Sequence, residues 1–177
     1  ASTFTWDIFL FGAEQDSVPD VNLSKLGSDN DFSSPDGMWF DPRGVLWIQT
    51  DDSSYTDETN CMMLAALPGR VGDGQVKTSA GLKTPTGAEL DNTQLRRFLT
   101  GPEGCEITGV TMTPDYKAIF VNIQHPGNSW PANHPPALNL SKAILGSRPR
   151  SATLVITRKD GKEIAGESLE KVETPKT

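Results

Sequence analysis

Gly37-Met-Trp-Phe-Asp-Pro-Arg-Gly-Val-Leu-Trp-Ile-Gln49 is matched further along the chain by Gly109-Val-Thr-Met-Thr-Pro-Asp-Tyr-Lys-Ala-Ile-Phe-Val-Asn122. Glycine falls on glycine, Pro42 on Pro114, Leu46-Trp47-Ile48 on Ile119-Phe120-Val121 and Gln49 on Asn122, with one extra residue in the second turn. The two glycines, like the two prolines, stand 72 residues apart. Each stretch reads as a hairpin: an apolar run, a turn in which Pro presets φ, and a second apolar run. Two further short strands follow each hairpin: Cys61–Leu67 and Gln94–Leu99 in the first unit, Thr153–Arg158 and Glu163–Ala165 in the second. A repeated unit of four short antiparallel strands is the signature of a propeller blade.

The reading is therefore all-β, an incomplete β-propeller of about two blades plus a strand, the blades spanning about 33–100 and 101–166. The aromatic run 4–12 is assigned to a preceding blade and 167–177 to a flexible tail, the whole making one C-terminal propeller fragment. The only helical stretch is brief, Ala137–Leu145. The alternative is a β-sandwich built from the same strands, which would be self-sufficient at this length. Two blades cannot close a ring, so exposed blade edges carry an expectation of self-association.

Composition narrows the function classes. The chain has 177 residues and a net charge of −7; with Gly at 16 and Pro at 13 it is too rich in helix breakers for a coiled coil or helix bundle. The acidic balance disfavours nucleic acid, whose phosphates call for a Lys/Arg stripe. No apolar run reaches the ~20 residues that span a bilayer, and Ala1 is not followed by a basic, then apolar, leader. The two cysteines, Cys61 and Cys105, show no Cys-x-x-Cys spacing, so a structural zinc site is not expected. They read as small buried hydrophobes, or else as one disulfide.

In a blade whose strands alternate direction, the loop entering the first strand and the loop leaving the second lie at one end. That places Ser33–Asp36 beside Gln49–Asp52, and Gly104–Glu106 beside Gln124–Pro126, while the DPRG and TPDYK turns go to the other end. Asp36, Asp51, Asp52, Glu106 and His125 thus collect at one channel mouth. Such a set suits Ca²⁺, which takes oxygen ligands, or a redox-capable metal that also recruits imidazole. Individually each residue has an ordinary reading. Asp36 in Pro-Asp-Gly is a common turn aspartate; Asp51, Asp52, Asp57 and Glu58 lie in a solvated acidic loop; His125 precedes Pro-Gly. Glu106 differs, because a carboxylate opening an apolar inner strand needs a cation or a base. No Gly-x-Ser-x-Gly elbow or phosphate-binding glycine loop is present, which disfavours a serine-hydrolase mechanism.

Phe32-Ser-Ser-Pro-Asp-Gly-Met-Trp-Phe-Asp-Pro-Arg-Gly-Val-Leu-Trp-Ile-Gln-Thr-Asp51 resembles the C-terminal part of the PhoX-type bacterial alkaline phosphatases. So do Arg96-Arg-Phe-Leu-Thr-Gly-Pro-Glu-Gly-Cys-Glu-Ile-Thr-Gly109, Phe120-Val-Asn-Ile-Gln-His-Pro-Gly127 and the ending Arg148–Arg158 with Lys-Asp-Gly after it. The resemblance implies an exported, periplasmic or secreted phosphomonoesterase on a β-propeller, with calcium and iron (Ca²⁺ and Fe³⁺) at the channel mouth and an organic phosphate ester as substrate. Carried over by position, Asp36 and Glu106 are the metal ligands, with Asp51, Asp52 and His125 as weaker candidates. The family's Asn-Cys-Ala, Thr-Pro-Trp-Gly-Thr and Cys-Glu-Glu segments, which supply iron ligands, are absent here, and neither Cys61 nor Cys105 inherits that role. The chain alone is accordingly expected to be inactive. Two rival functions are a Ca²⁺-dependent propeller lactonase, in which Asn122 would matter, and a non-catalytic binding module using Trp6, Trp39, Trp47 and Trp130.

Overall fold

A computed structural model describes residues 2–4, 6, 8–51, 59–68, 76–85, 94–127 and 150–166. Among them the architecture is all-β and antiparallel. One sheet has the order β1-β2-β3-β6, built from β1 (Pro35–Phe40), β2 (Leu46–Thr50), β3 (Met62–Ala66) and β6 (Leu95–Thr100). A second has the order β7-β8-β9, from β7 (Glu106–Met112), β8 (Ala118–Gln124) and β9 (Ala152–Thr157). A small hairpin, β4 (Val76–Ser79) and β5 (Leu82–Pro85), stands in the excursion between β3 and β6.

In the second sheet neighbouring strands follow one another along the chain, and in the first they do so except that hairpin β4–β5 is inserted between β3 and β6, with no Greek-key crossover in either. That meander is how a propeller blade is wound; an immunoglobulin-type sandwich exchanges strands between its sheets. The sequence repeat is visible in the geometry. Each inner hairpin carries a register shift next to or at the aligned glycine, leaving Asp36 unpaired between Pro35 and Gly37 in the first sheet and Gly109 unpaired between Thr108 and Val110 in the second. A Cβ on Gly37 would lie 3.1 Å from Gln49 Oε1, and one on Gly109 would lie 2.6 Å from Asn122 Nδ2. The aligned glycines therefore make room for the aligned amides. Gln49 is buried and donates from Nε2 to the Gly109 carbonyl at 3.5 Å, a direct contact between the two sheets.

The first sheet is covered on both faces, which explains why β2 and β3 are apolar without alternation. Side chains of a strand point alternately to either side. Trp47 and Met63 enter a core shared with Ile107, Ile119, Val121 and Ile123 of the second sheet. Leu46, Ile48, Met62 and Leu64 enter another core, closed by Leu26 and Phe32. Trp47 is fully buried and meets Phe98 edge-on at 4.9 Å and 74°, an aromatic pair worth about 0.5–1.5 kcal/mol beyond its area.

The N-terminal segment departs from expectation. The described residues of the run 4–12 form no strand; Ile8 N–H instead donates to Pro85 O of β5 at 3.0 Å, and Ala13 bridges Phe32. Residues 13–31 are a chain of turns held by buried amides. Asn22 exchanges hydrogen bonds with Leu26 N and O, and Asn30 accepts from Gly27 N while donating to Leu95 O. Polar side chains with local backbone partners favour turns over ladders, and they let this segment cap the sheet without leaving polar groups unpaired. The second sheet also departs: it has three strands among the described residues. Glu163–Ala165 is a turn rather than a fourth strand, though Ile164 N–H donates to Tyr116 O at 2.9 Å. Ala137–Leu145 and the tail 167–177 lie outside the described residues. No helix among the described residues is long and apolar enough to cross a membrane.

The two hairpin turns meet at one end of the molecule. Arg43 of the first lies over the Tyr116 ring of the second at 4.3 Å and donates to Ile164 O at 2.8 Å. It also pairs with Asp41 at 2.7 Å, whose side chain is wholly buried. With that end occupied, the loops entering β1 and β7 fall at the opposite end.

Candidate metal centre

At that end the two sheets place their loops as the alternation of strands requires. Pro35 pairs with Thr50, and Asp51 N–H donates to Ser34 O at 3.2 Å, so the approach to β1 and the exit of β2 are clamped together. Glu106 pairs with Gln124, which sets His125 beside the approach to β7. The result is that Asp51, Glu106 and His125, drawn from both sheets, each present a ligand atom within 4.8 Å of the other two. His125 Nε2 lies 3.5 Å from Glu106 Oε2.

The surroundings of these side chains differ. Asp51 is exposed, Glu106 is 8 % exposed, and His125 is intermediate. The imidazole is oriented from behind: Nδ1 lies 3.3 Å from Gly104 O, and the His125 backbone N–H donates to Ser151 Oγ at 3.1 Å. Holding Nδ1 against a carbonyl leaves Nε2 as the nitrogen facing the carboxylates, the usual arrangement of a metal-ligating histidine and its outer partner. A further bond, Gly127 N–H to Glu103 O at 2.9 Å, ties the exit of β8 to the approach of β7.

Backbone strain marks the same two loops. Ser34 has φ +47° and His125 φ +35°, and each is followed by proline, Pro35 and Pro126. A residue before proline is normally held in extended conformation, and a non-glycine residue at positive φ costs about 1–3 kcal/mol unless its surroundings enforce it. Here the clamps just described enforce it.

Beside the cluster, burial pushes the Cys105 thiol up to about 12, with the Cys61 sulfur as the next cause and Asp51 and Glu106 adding smaller contributions. A thiol so held is neutral at ordinary pH. Asp36 stands apart from the three-residue group. It is the extra residue of the β1 register shift, lying between Pro35, paired with Thr50, and Gly37, paired with Gln49, and it is exposed. Asp52 lies outside the described residues. Ser151 and the Gly104 carbonyl were not legible as site components: Ser151 is far along the chain, and a carbonyl carries no sequence signal. Of the residues weighed for other functions, Trp47 is core, Trp39 packs against that core, Trp6 is exposed and Trp130 lies outside the described residues. Asn122 is exposed, accepts from Thr153 Oγ1 at 2.8 Å, and is not one of the three converging residues.

What the cluster can do chemically is bind a cation. Two carboxylates and an imidazole are a mixed donor set, hard oxygen beside borderline nitrogen. Glu106 is the buried member, and a carboxylate out of water calls for a polar or charged partner; His125 Nε2 stands on that side, and a cation would fit between them.

A comparison with curated proteins finds no match. A comparison with solved structures finds Pseudomonas fluorescens PhoX in complex with vanadate, a transition state analogue. The likeness has 36 % identity and a TM-score of 0.53, and covers 76 % of this chain but 19 % of that one. This chain thus spans about a fifth of the length of the protein it resembles. A family model described as alkaline phosphatase PhoX matches residues 1–127, which takes in the whole candidate centre except Ser151 and stops short of the Arg148–Arg158 ending. With well over half of the sequence inside that match, the chain belongs to the PhoX alkaline phosphatase family.

Proposed function

We propose that this chain is a C-terminal portion of a metal-dependent phosphatase that hydrolyses phosphate monoesters to release inorganic phosphate. In this reading Asp51, Glu106 and His125 hold one of its cations. The observation that carries it is the convergence of three ligand atoms from two sheets, with Glu106 buried. Membership of the PhoX family supports the reaction class, as does the binding of vanadate, a transition state analogue, by the Pseudomonas fluorescens protein. Family membership favours this reading over the lactonase and binding-module alternatives.

The donor set favours Ca²⁺ at Asp51 and Glu106, with Fe³⁺ elsewhere in the intact protein or sharing His125. Ca²⁺ takes about 6–8 oxygen ligands, more than this cluster supplies. Asp36, on the same loop end, and groups beyond this chain are the candidates for the rest. A bound cation neutralises the phosphate and the charge that develops on it during transfer. The chain's own residues then have defined tasks. Glu106 anchors from the buried side, Asp51 closes from the solvent side, and the Gly104 carbonyl fixes which imidazole nitrogen His125 presents. Export to the periplasm or beyond, and inactivity of the chain by itself, belong to the same proposal.

Calcium titration of the chain by calorimetry, beside a Glu106→Gln variant, tests the site. Saturable binding that the substitution weakens at least tenfold is expected; equal binding by both proteins overturns the assignment. A p-nitrophenyl phosphate assay with Ca²⁺ and iron added is expected to show no turnover by the chain alone.

A further inference from the structure

Cys61 immediately precedes β3 and Cys105 immediately precedes β7, and both are buried in the core that joins the two sheets. The candidate metal centre uses neither. Their mutual position follows from the ladder. Met62 pairs with Thr100, so Cys61 stands opposite Gly101, whose N–H donates to the Cys61 carbonyl at 2.9 Å. Residues directly opposite in an antiparallel ladder send their side chains to the same side, with Cβ atoms about 4.5–5.5 Å apart. Gly101 has no Cβ. The point where one would stand is taken by Cys105, whose Sγ lies 2.4 Å from it, with Ile107 Cδ1 at 2.6 Å. The Cys105 sulfur therefore fills the cross-strand neighbour position of the Cys61 side chain, and the missing side chain at Gly101 is what admits it.

We propose that Cys61 and Cys105 are a disulfide-forming pair that staples the first sheet to the approach of the second. The oxidant is a disulfide, small-molecule or protein, acting by thiol–disulfide exchange. One cysteine thiolate attacks the oxidant, forming a mixed disulfide and expelling one thiol. The second cysteine thiolate then attacks the mixed disulfide, making the Cys61–Cys105 bond and expelling the other thiol. Two electrons and two protons pass from the pair to the oxidant. Both sulfurs are thiols in this structure and both are buried, so exchange takes place while the chain folds, before access closes. The bond would anchor the residue next to Glu106, yet the pairing stands independently of any metal.

The test is to refold the chain in a glutathione redox buffer, quench with acid, unfold, and alkylate with N-ethylmaleimide without reduction. The expected result is no label and one cross-linked peptide joining Cys61 to Cys105, with two labels after reduction. Label on both cysteines without reduction, glutathione adducts in place of the cross-link, or cross-links between chains overturn the proposal. Urea unfolding gives a second readout. The oxidised chain is expected to unfold at a higher midpoint than the reduced chain, and Cys61→Ser is expected to abolish the response to reductant. A midpoint that reduction leaves unchanged or raises refutes the claim that the native geometry accepts the bond.

Discussion

Replacing Arg43 by Ala removes one side chain and strands another. Asp41 is wholly buried at its side chain and accepts from Arg43 Nη2 at 2.7 Å. Its carboxylate also accepts from the N–H groups of Arg43 at 2.9 Å and Val45 at 3.2 Å, and from Trp47 Nε1 at 3.4 Å. Those three donors stay when the guanidinium goes, but the counter-charge does not. Breaking a buried pair from one side costs about 3–5 kcal/mol, because an uncompensated charge remains. Loss of the contact over Tyr116 adds about 0.5–2 kcal/mol, and the hydrogen bond to Ile164 O goes as well. Arg43 Nε, buried and without a hydrogen-bond partner, offsets part of this in the native protein. The expected loss is about 4 kcal/mol, a large part of the 5–15 kcal/mol typical of a domain. Urea unfolding followed by tryptophan fluorescence measures it, since Trp47 sits beside the pair. Because Arg43→Ala can fall below the threshold for folding, Arg43→Lys and Asp41→Asn complete the set. Lysine keeps the charge and forfeits the ring contact and the second hydrogen bond, so an intermediate loss is expected. Adding Asp41→Asn to Arg43→Ala is expected to recover stability relative to Arg43→Ala alone, since the stranded charge is gone. A loss under about 1 kcal/mol, the range of an exposed ion pair, or strict additivity in the double variant, refutes the reasoning.

Three other outcomes follow from named contacts. Gly101→Ala puts a Cβ 2.4 Å from Cys105 Sγ and 2.6 Å from Ile107 Cδ1; an overpacking loss of about 1–3 kcal/mol is expected in chemical denaturation. Gly109→Ala meets Asn122 Nδ2 at 2.6 Å from a backbone at φ +55°, so it is expected to destabilise by about 1–3 kcal/mol and to disturb the Gln49 contact, visible as shifted amide resonances. Arg158 bonds to Asp160 at 3.0 and 2.7 Å and, with the Lys162 N–H, holds that carboxyl down at about 2 from its ordinary 3.8. A depressed folded value stabilises the turn above pH 3.8 and loses that support as pH falls through about 2. Carboxyl NMR titration should therefore show Asp160 rising toward 3.8 in Arg158→Ala.

The inner hairpins were legible because their signal is redundant. Apolar runs, Pro turns and a repeat at a fixed offset all point to the same strands, and the first blade's four strands are found as β1, β2, β3 and β6. The N-terminal run misled for a physical reason. Phe9 and Leu10 are apolar because they pack against the second core, not because they sit in a ladder, and aromatic content alone does not separate those cases. Hairpin β4–β5 is short and partly polar, so it gave no run to find. At the site, the end of the sheets that gathers carboxylates was deducible from strand alternation, whereas Asp51 carried no mark separating it from its acidic neighbours. Its place depends on the hydrogen bond from its backbone N–H to Ser34 O, a long-range pairing with no local signature.

The repeat that reveals the scaffold is silent about the site, and the alignment shows why. Advanced by the same offset that joins Gly37 to Gly109, Asp36 falls on Thr108, and Ser34 falls on Glu106. The carboxylates at the mouth are therefore not copies of each other. In the first sheet the register shift makes Asp36 the unpaired residue; in the second it falls one position later, on Gly109, and leaves Glu106 paired with Gln124 at the strand's start. A register shift re-aims the side chain it carries, so Asp36, at the shift, stands apart from the group that Glu106, ahead of its own sheet's shift, joins. Ser34, in the position of Glu106, contributes a carbonyl that holds Asp51 instead. The three side chains that do converge, Asp51, Glu106 and His125, come from positions the repeat does not equate: Glu106 falls on Ser34, and Asp51, two residues after Gln49, falls on Gln124. The scaffold thus comes from what the two sheets share, and the candidate centre from where they differ.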